Sequence, residues 1–102
     1  MKKTTYVAGI CLLASLVAGC SDSNEFKPLA GMDALDIYAN ACASCHGENG
    51  SGKFGVMLKL AGSNASLDEI VGKIRNGGHI MPAFPNIDTD QAKLVAGYIK
   101  SL

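Results

Sequence analysis

Two thiols three residues apart, followed at once by an imidazole, constrain this chain more than any other feature: Cys42-Ala43-Ser44-Cys45-His46. In a helical segment, residues three apart share a face. Both sulfurs then address one object on that face, and the next residue offers a nitrogen to the same object. C-x-x-C by itself also serves as a dithiol redox pair or as half of a zinc site. A thioredoxin-like pair opens a helix after a buried strand, whereas this pair closes a helical pattern with no strand before it. Structural zinc takes four ligands, usually as two pairs, and the only other cysteines, Cys11 and Cys20, lie in a leader segment. With the histidine attached, the pattern is the rule for covalent haem c. Cys42 and Cys45 each form a thioether to one of the two vinyl groups of a porphyrin, and His46 supplies an axial nitrogen to its iron. One haem per chain is expected.

The start of the chain predicts export. Lys2 and Lys3 precede an apolar run from Tyr6 to Val17. That run is shorter than the ~20 residues of a membrane span and reads as a signal-peptide core. It ends at Val17-Ala18-Gly19-Cys20, which resembles a bacterial lipoprotein signal with cleavage before a cysteine that becomes lipidated. The expected organisation is a signal peptide over 1–19, a lipid-anchored flexible tether over 20–31 and one domain over 32–102. With Cys20 carrying lipid and Cys42 and Cys45 carrying haem, no mature thiol is left for a disulfide. Nine basic and nine acidic side chains balance in the full chain. Removing Lys2 and Lys3 turns the balance slightly acidic, which argues against nucleic acid as a partner. So small a domain buries a thin core and gains from an apolar cofactor to wrap.

The mature chain reads as all-α, with three main helices joined by long loops. Helix one is expected from near Asp33, a plausible N-cap, to about Cys45, with Leu35, Tyr38, Cys42 and Cys45 on one stripe. Residues 48–62 form a glycine-rich loop with apolar contacts from Phe54, Val56, Met57, Leu58 and Leu60. Helix two opens on the capping box Ser66-Leu67-Asp68-Glu69, buries Leu67, Ile70, Val71 and Ile74, and stops at Asn76-Gly77-Gly78. His79 to Pro85 is a loop, since Pro82 and Pro85 forbid regular structure. Helix three begins near Asp88-Thr89 and carries the stripe Leu94, Val95, Tyr98, Ile99, Leu102. Loops this long in a small domain usually bind something.

The face of the iron opposite His46 needs a ligand or stays open. Met57, His79 and, more remotely, Met32 are candidates. Met81 is the best placed, because Pro82 and Pro85 stiffen its loop and a residue before proline is pushed to extended geometry.

These residues together resemble the class I c-type cytochromes, of the small bacterial monohaem kind. The likeness rests on Tyr38-x-x-x-Cys42-Ala43-Ser44-Cys45-His46-Gly47, Ile74-Arg75-Asn76-Gly77, Met81-Pro82-Ala83-Phe84 and Tyr98-Ile99-x-x-Leu102, and covers about residues 31–102. It implies the small cytochrome c fold, with His46 proximal, Met81 distal, and the first and last helices crossing near Tyr38 and Tyr98. The family often has a proline before a Leu-x-Gly after the haem motif. Here Val56-Met57-Leu58-Lys59-Leu60-Ala61-Gly62 lacks it, and a carbonyl near Leu58 is the candidate acceptor for the His46 Nδ1–H.

Iron held by His and Met is six-coordinate, with no position for substrate. The expected function is one-electron transfer in an exported respiratory or redox chain, not enzymatic catalysis. The carrier would be a monomer, anchored by lipid on the periplasmic side of a bacterial membrane and docking transiently with redox proteins. The alternatives are a haem-based sensor or small-ligand binder with a labile sixth ligand, and an exported dithiol protein without haem.

Overall fold

The computed structural model describes residues 23–102; Cys11, Cys20 and the leader lie outside the described residues. Four helices follow one another: α1 over Ala34–Ala41, α2 over Ala43–His46, α3 over Leu67–Asn76 and α4 over Thr89–Lys100, with a 3₁₀ turn at Val56–Leu58 between α2 and α3. Among the described residues there is no strand; one isolated bridge joins Ser23 to Ala83. The all-α expectation holds. The predicted first helix is two pieces that part at Cys42, whose φ of −114° is displaced while ψ stays helical at −38°. Its N–H still donates to Tyr38 O at 2.8 Å, and its carbonyl accepts from His46 N at 3.0 Å. The turn therefore leaves the backbone hydrogen bonding unbroken.

Side-chain caps start the long helices. Asp33 accepts from Asp36 N at 2.8 Å. Ser66 and Glu69 close a reciprocal box, and Asp88 with Gln91 closes a second one, each satisfying two otherwise unpartnered donors. Backbone and side-chain hydrogen bonds from Ser66 hold the Glu69 carboxyl below its usual range. Glycine ends α3: Gly77 sits at φ +70° and its N–H closes on Lys73 O, as a left-handed residue past a helix should.

Helix α4 is the spine, against which α1 and α3 both pack. It presents Ala92, Val95, Ala96 and Ile99, all buried, and its two alanines let the neighbouring helices approach closely. The other sides bring Ile37 and Tyr38 from α1, Ile70 and Ile74 from α3, and Phe84 and Ile87 from the loop before α4. Tyr38 and Tyr98 meet edge-on with centroids 5.1 Å apart, where the first and last helices were expected to cross. The predicted stripes are each slightly rotated. Leu35, Leu67 and Leu94 are exposed, while Ile37, Ala92 and Ala96 take the inner positions.

The stretch read as a tether lies against the domain from Ser23 onward. Pro28 is buried and Phe26 packs on the core. Asn86 Nδ2 donates to Glu25 O at 3.2 Å.

Asp88→Ala is expected to lower stability by about 1 kcal/mol through loss of the α4 cap, read as a lower denaturant midpoint at unchanged slope. Folding lowers the Glu69 pKa, so its contribution is full above the ordinary carboxylate pKa and is lost as pH falls through the lowered value. A Glu69→Gln variant should lose less stability on acidification than the parent over that window.

Candidate functional site

The α1–α2 turn sets Cys42 and His46 at the lining of a cavity of about 1120 Å³. The far side of the lining comes from Ile70 and Ile74 of α3 and from residues 78–81. A smaller cavity of about 190 Å³ is lined by Cys45 and by Asn24, Pro82 and Phe84. The two share Cys42, His46, Leu58, Ile80 and Met81, so they adjoin. All four residues expected to bind cofactor, Cys42, Cys45, His46 and Met81, therefore come together at one place, although 34 residues of chain separate Met81 from its neighbour in the set by way of α3 and two loops.

His46 is oriented from behind. Its Nδ1 lies 2.6 Å from Leu58 O. A carbonyl only accepts, so Nδ1 carries the proton and donates. Nε2 is then the nitrogen available to a metal, in the arrangement that second-shell carbonyls impose on ligating histidines. The acceptor falls in the region suggested from sequence, and the structure fixes it as Leu58 itself, reached without the family's proline. The loop that delivers Leu58 is stitched back onto the motif: Gly52 N donates to His46 O at 2.8 Å and Lys53 N to Cys45 O at 3.1 Å. Gly52 has φ +83°, and a Cβ there would strike Gly55 O, so only glycine fits. Tyr38 Oη donates to Gly47 O at 2.7 Å, fixing the residue after His46 to α1.

Cys42 is buried and Cys45 exposed. Burial pushes the Cys42 thiol up to about 11, so it is a neutral, inward-facing group at physiological pH.

The Met81 loop is closed onto α3. Gly78 N donates to Met81 O at 2.9 Å, and Phe84 N to Ile74 O at 2.9 Å. Arg75 Nη1 donates to Ile87 O at 2.6 Å, so this residue ties down the end of the loop. Met81 is half-buried against the core. Met57 and His79 also line the larger cavity but are exposed, Met57 by 92%. Met32 packs on the core and lines neither cavity. Sequence reasoning missed the polar rim of Ser63, Asn64, Glu69 and Lys73. The placement of Ile70 and Ile74 on the same helix face was the available signal, because Glu69 and Lys73 each precede one of them by one residue.

These residues fit a covalently held haem. At about 1120 Å³ the cavity is slightly larger than the ~300–1,000 Å³ of ordinary small-molecule sites, as a large ligand requires. Phe54, Met57 and Ile80 at its lining are 72%, 92% and 82% exposed, a concentration of apolar surface that suits a large apolar ligand. Two thiols and an imidazole with a defined tautomer complete the donor set.

Fold and site thus define a small c-type cytochrome domain. The chain belongs to the family described as cytochrome c oxidase, cbb3-type, subunit III, whose model matches residues 30–99, and this family relationship brings a covalently bound haem iron. It is similar to cytochrome c-550 of Bacillus subtilis (strain 168), at 34% identity over 77 residues, which is 76% of this chain and 64% of that one. The chain therefore spans less than two thirds of that relative. The fold matches a solved structure, KustC0563 c-type cytochrome, with a TM-score of 0.59 at 20% identity, covering 69% of this chain and 96% of the other.

A Cβ on Gly77 would lie 2.7 Å from Ala83 N and 2.8 Å from Met81 O. Gly77→Ala should therefore push the Met81 loop off α3 and cost roughly 1–3 kcal/mol, measured by denaturant unfolding of the haem-loaded protein.

Proposed function

We propose that this protein is a class I c-type cytochrome that carries single electrons in an exported redox chain. Cys42 and Cys45 hold the haem by thioethers, His46 is its proximal ligand and Met81 its distal one. The observation that carries the reading is the His46 Nδ1 contact to Leu58 O at 2.6 Å, because it leaves Nε2 as the metal-binding nitrogen at the cavity that Cys42 and Met81 also line. When bound, the haem supplies one reversible electron between its ferric and ferrous states. The chain's residues do the rest. The Leu58 carbonyl keeps the imidazole in one tautomer and orientation. The Met81 thioether, a soft donor, favours the reduced state and raises the potential. Ile70, Ile74 and Leu60 exclude water from the cavity, which reduces solvent rearrangement on electron transfer.

Residues 1–19 are a signal peptide, Cys20 is the lipid-bearing residue and residues 32–102 are the haem domain, on the periplasmic side of a bacterial membrane. With Ser23 bridged to Ala83, the three residue steps back to Cys20 span at most about 10 Å. The lipid is thus a short leash that keeps one side of the domain near the bilayer, and the partners are redox proteins met there transiently by a monomer. His79 at the same cavity favours a second reading, a small-ligand sensor in which the sixth position exchanges.

Met81→Ala should lower the potential by roughly 0.1–0.3 V, inside the ~0.8 V range that axial ligands span, and open the ferric iron to added imidazole. An unchanged potential in spectroelectrochemical titration would remove Met81 from the ligand set. A labile sixth ligand in the parent protein, seen as carbon monoxide binding to the reduced form at neutral pH, would favour the sensor. Cys20→Ser should move the protein from the membrane to the soluble fraction; retention in washed membranes would rule out the lipid anchor.

A further inference from the structure

One peptide unit in the Met81 loop is gripped from both sides. Between Ala83 and Phe84, the N–H of Phe84 donates inward to Ile74 O at 2.9 Å, and the carbonyl of Ala83 accepts from Asn24 N at 2.7 Å. The inner bond belongs to α3. The outer one comes from the N-terminal segment, some sixty residues earlier in the chain. That segment is itself fixed at several points. Asn24 Oδ1 accepts from Phe26 N at 2.8 Å and turns the chain, which seats Phe26 on the core. Asn86 Nδ2 reaches back to Glu25 O. Asn24 also lines the smaller cavity beside Met81 and Pro82.

The geometry points to residues 23–28 as a positioning strap that holds the Met81 loop closed and so sets how readily an outside ligand displaces Met81 from the iron. The inference rests on the reading of Met81 as the distal ligand. The physical argument is direct. For Met81 to leave, its loop must shift outward, because Pro82 restricts the residue before it, Met81, to extended geometry. An outward shift lengthens the Phe84 bond to Ile74 and drives Ala83 against Asn24, so the strap has to be displaced with the loop. The strap adds its hydrogen bonds and the burial of Phe26 to the closed state alone, and a contact made in only one of two states shifts the equilibrium between them. None of this needs the strap to touch the metal. Asn24 and Phe26 act through Ala83 and the loop.

The test uses the full-length, haem-loaded ferric protein titrated with imidazole, followed by the shift of the Soret band. Asn24→Pro removes the donor to Ala83 and is compatible with an extended Ser23 before it. It should tighten imidazole binding about three- to tenfold, the worth of one such hydrogen bond. Asn86→Ala, a milder change that preserves the backbone, should tighten it about twofold in the same direction. In the Met81→Ala background, where no thioether has to be displaced, adding Asn24→Pro should leave the imidazole affinity unchanged. Equal tightening in both backgrounds would mean general loosening of the cavity and would overturn the strap. So would unchanged affinity in both Asn24→Pro and Asn86→Ala while amide exchange shows residues 24–26 released. If Met81→Ala itself binds imidazole no more tightly than the parent, the Met81 reading fails and the strap falls with it. A null result in the strap variants beside a strong Met81→Ala effect overturns the strap alone.

Discussion

The contact between the His46 imidazole and the Leu58 carbonyl is the constraint on which the rest of the site depends. Covalent attachment through Cys42 and Cys45 would hold a porphyrin near α2, but it does not aim the imidazole. The 2.6 Å bond does, and to deliver it the chain needs the whole glycine-rich loop. That explains why a small domain spends so many residues outside helices. Loop geometry is costly in conformational entropy, and here it is repaid by backbone bonds to Cys45 and His46 rather than by a hydrophobic interior of its own. The exposed Phe54 and Met57 belong to the same logic, being apolar surface that suits a cofactor better than it suits another helix.

The opposite side of the cavity is organised differently. There the chain uses a short, proline-stiffened loop closed by three kinds of contact: the Gly77 turn that permits close approach, the Arg75 bond to Ile87 O, and the Ala83–Phe84 peptide held between α3 and the N-terminal segment. The proximal side is thus fixed by the residues around the attachment motif, and the distal side by tertiary contacts from distant parts of the chain.

Much of this was legible in the sequence, for identifiable reasons. The Cys42–His46 cluster has a spacing that one chemistry explains, and the Ser66 capping box and the Gly77 stop are local, so their neighbours suffice to read them. A carbonyl near Leu58 was expected from the family resemblance, because ligating histidines donate their other ring N–H to such a partner. What escaped was what depends on contacts between distant backbones. The Asn24 bond to Ala83 uses groups every residue possesses, so no side chain announces it, and a polar stretch containing Pro28 and Gly31 looks the same whether free or docked. The inner face of α4 was read from its large residues, but Ala92 and Ala96 are fully buried on it as well. The break at Cys42 was hidden because both pieces carry helical patterns.

The visible spectrum of the full chain, produced with haem-attachment machinery, tests the account most directly. One c-type haem per chain should survive extraction with acidified organic solvent, the reduced protein should show a sharp α-band, and the oxidised protein should show the weak far-red band of sulfur-to-iron charge transfer. A chain that releases its haem to the solvent, or takes up none, contradicts covalent attachment at Cys42 and Cys45 and with it the reading of the whole site.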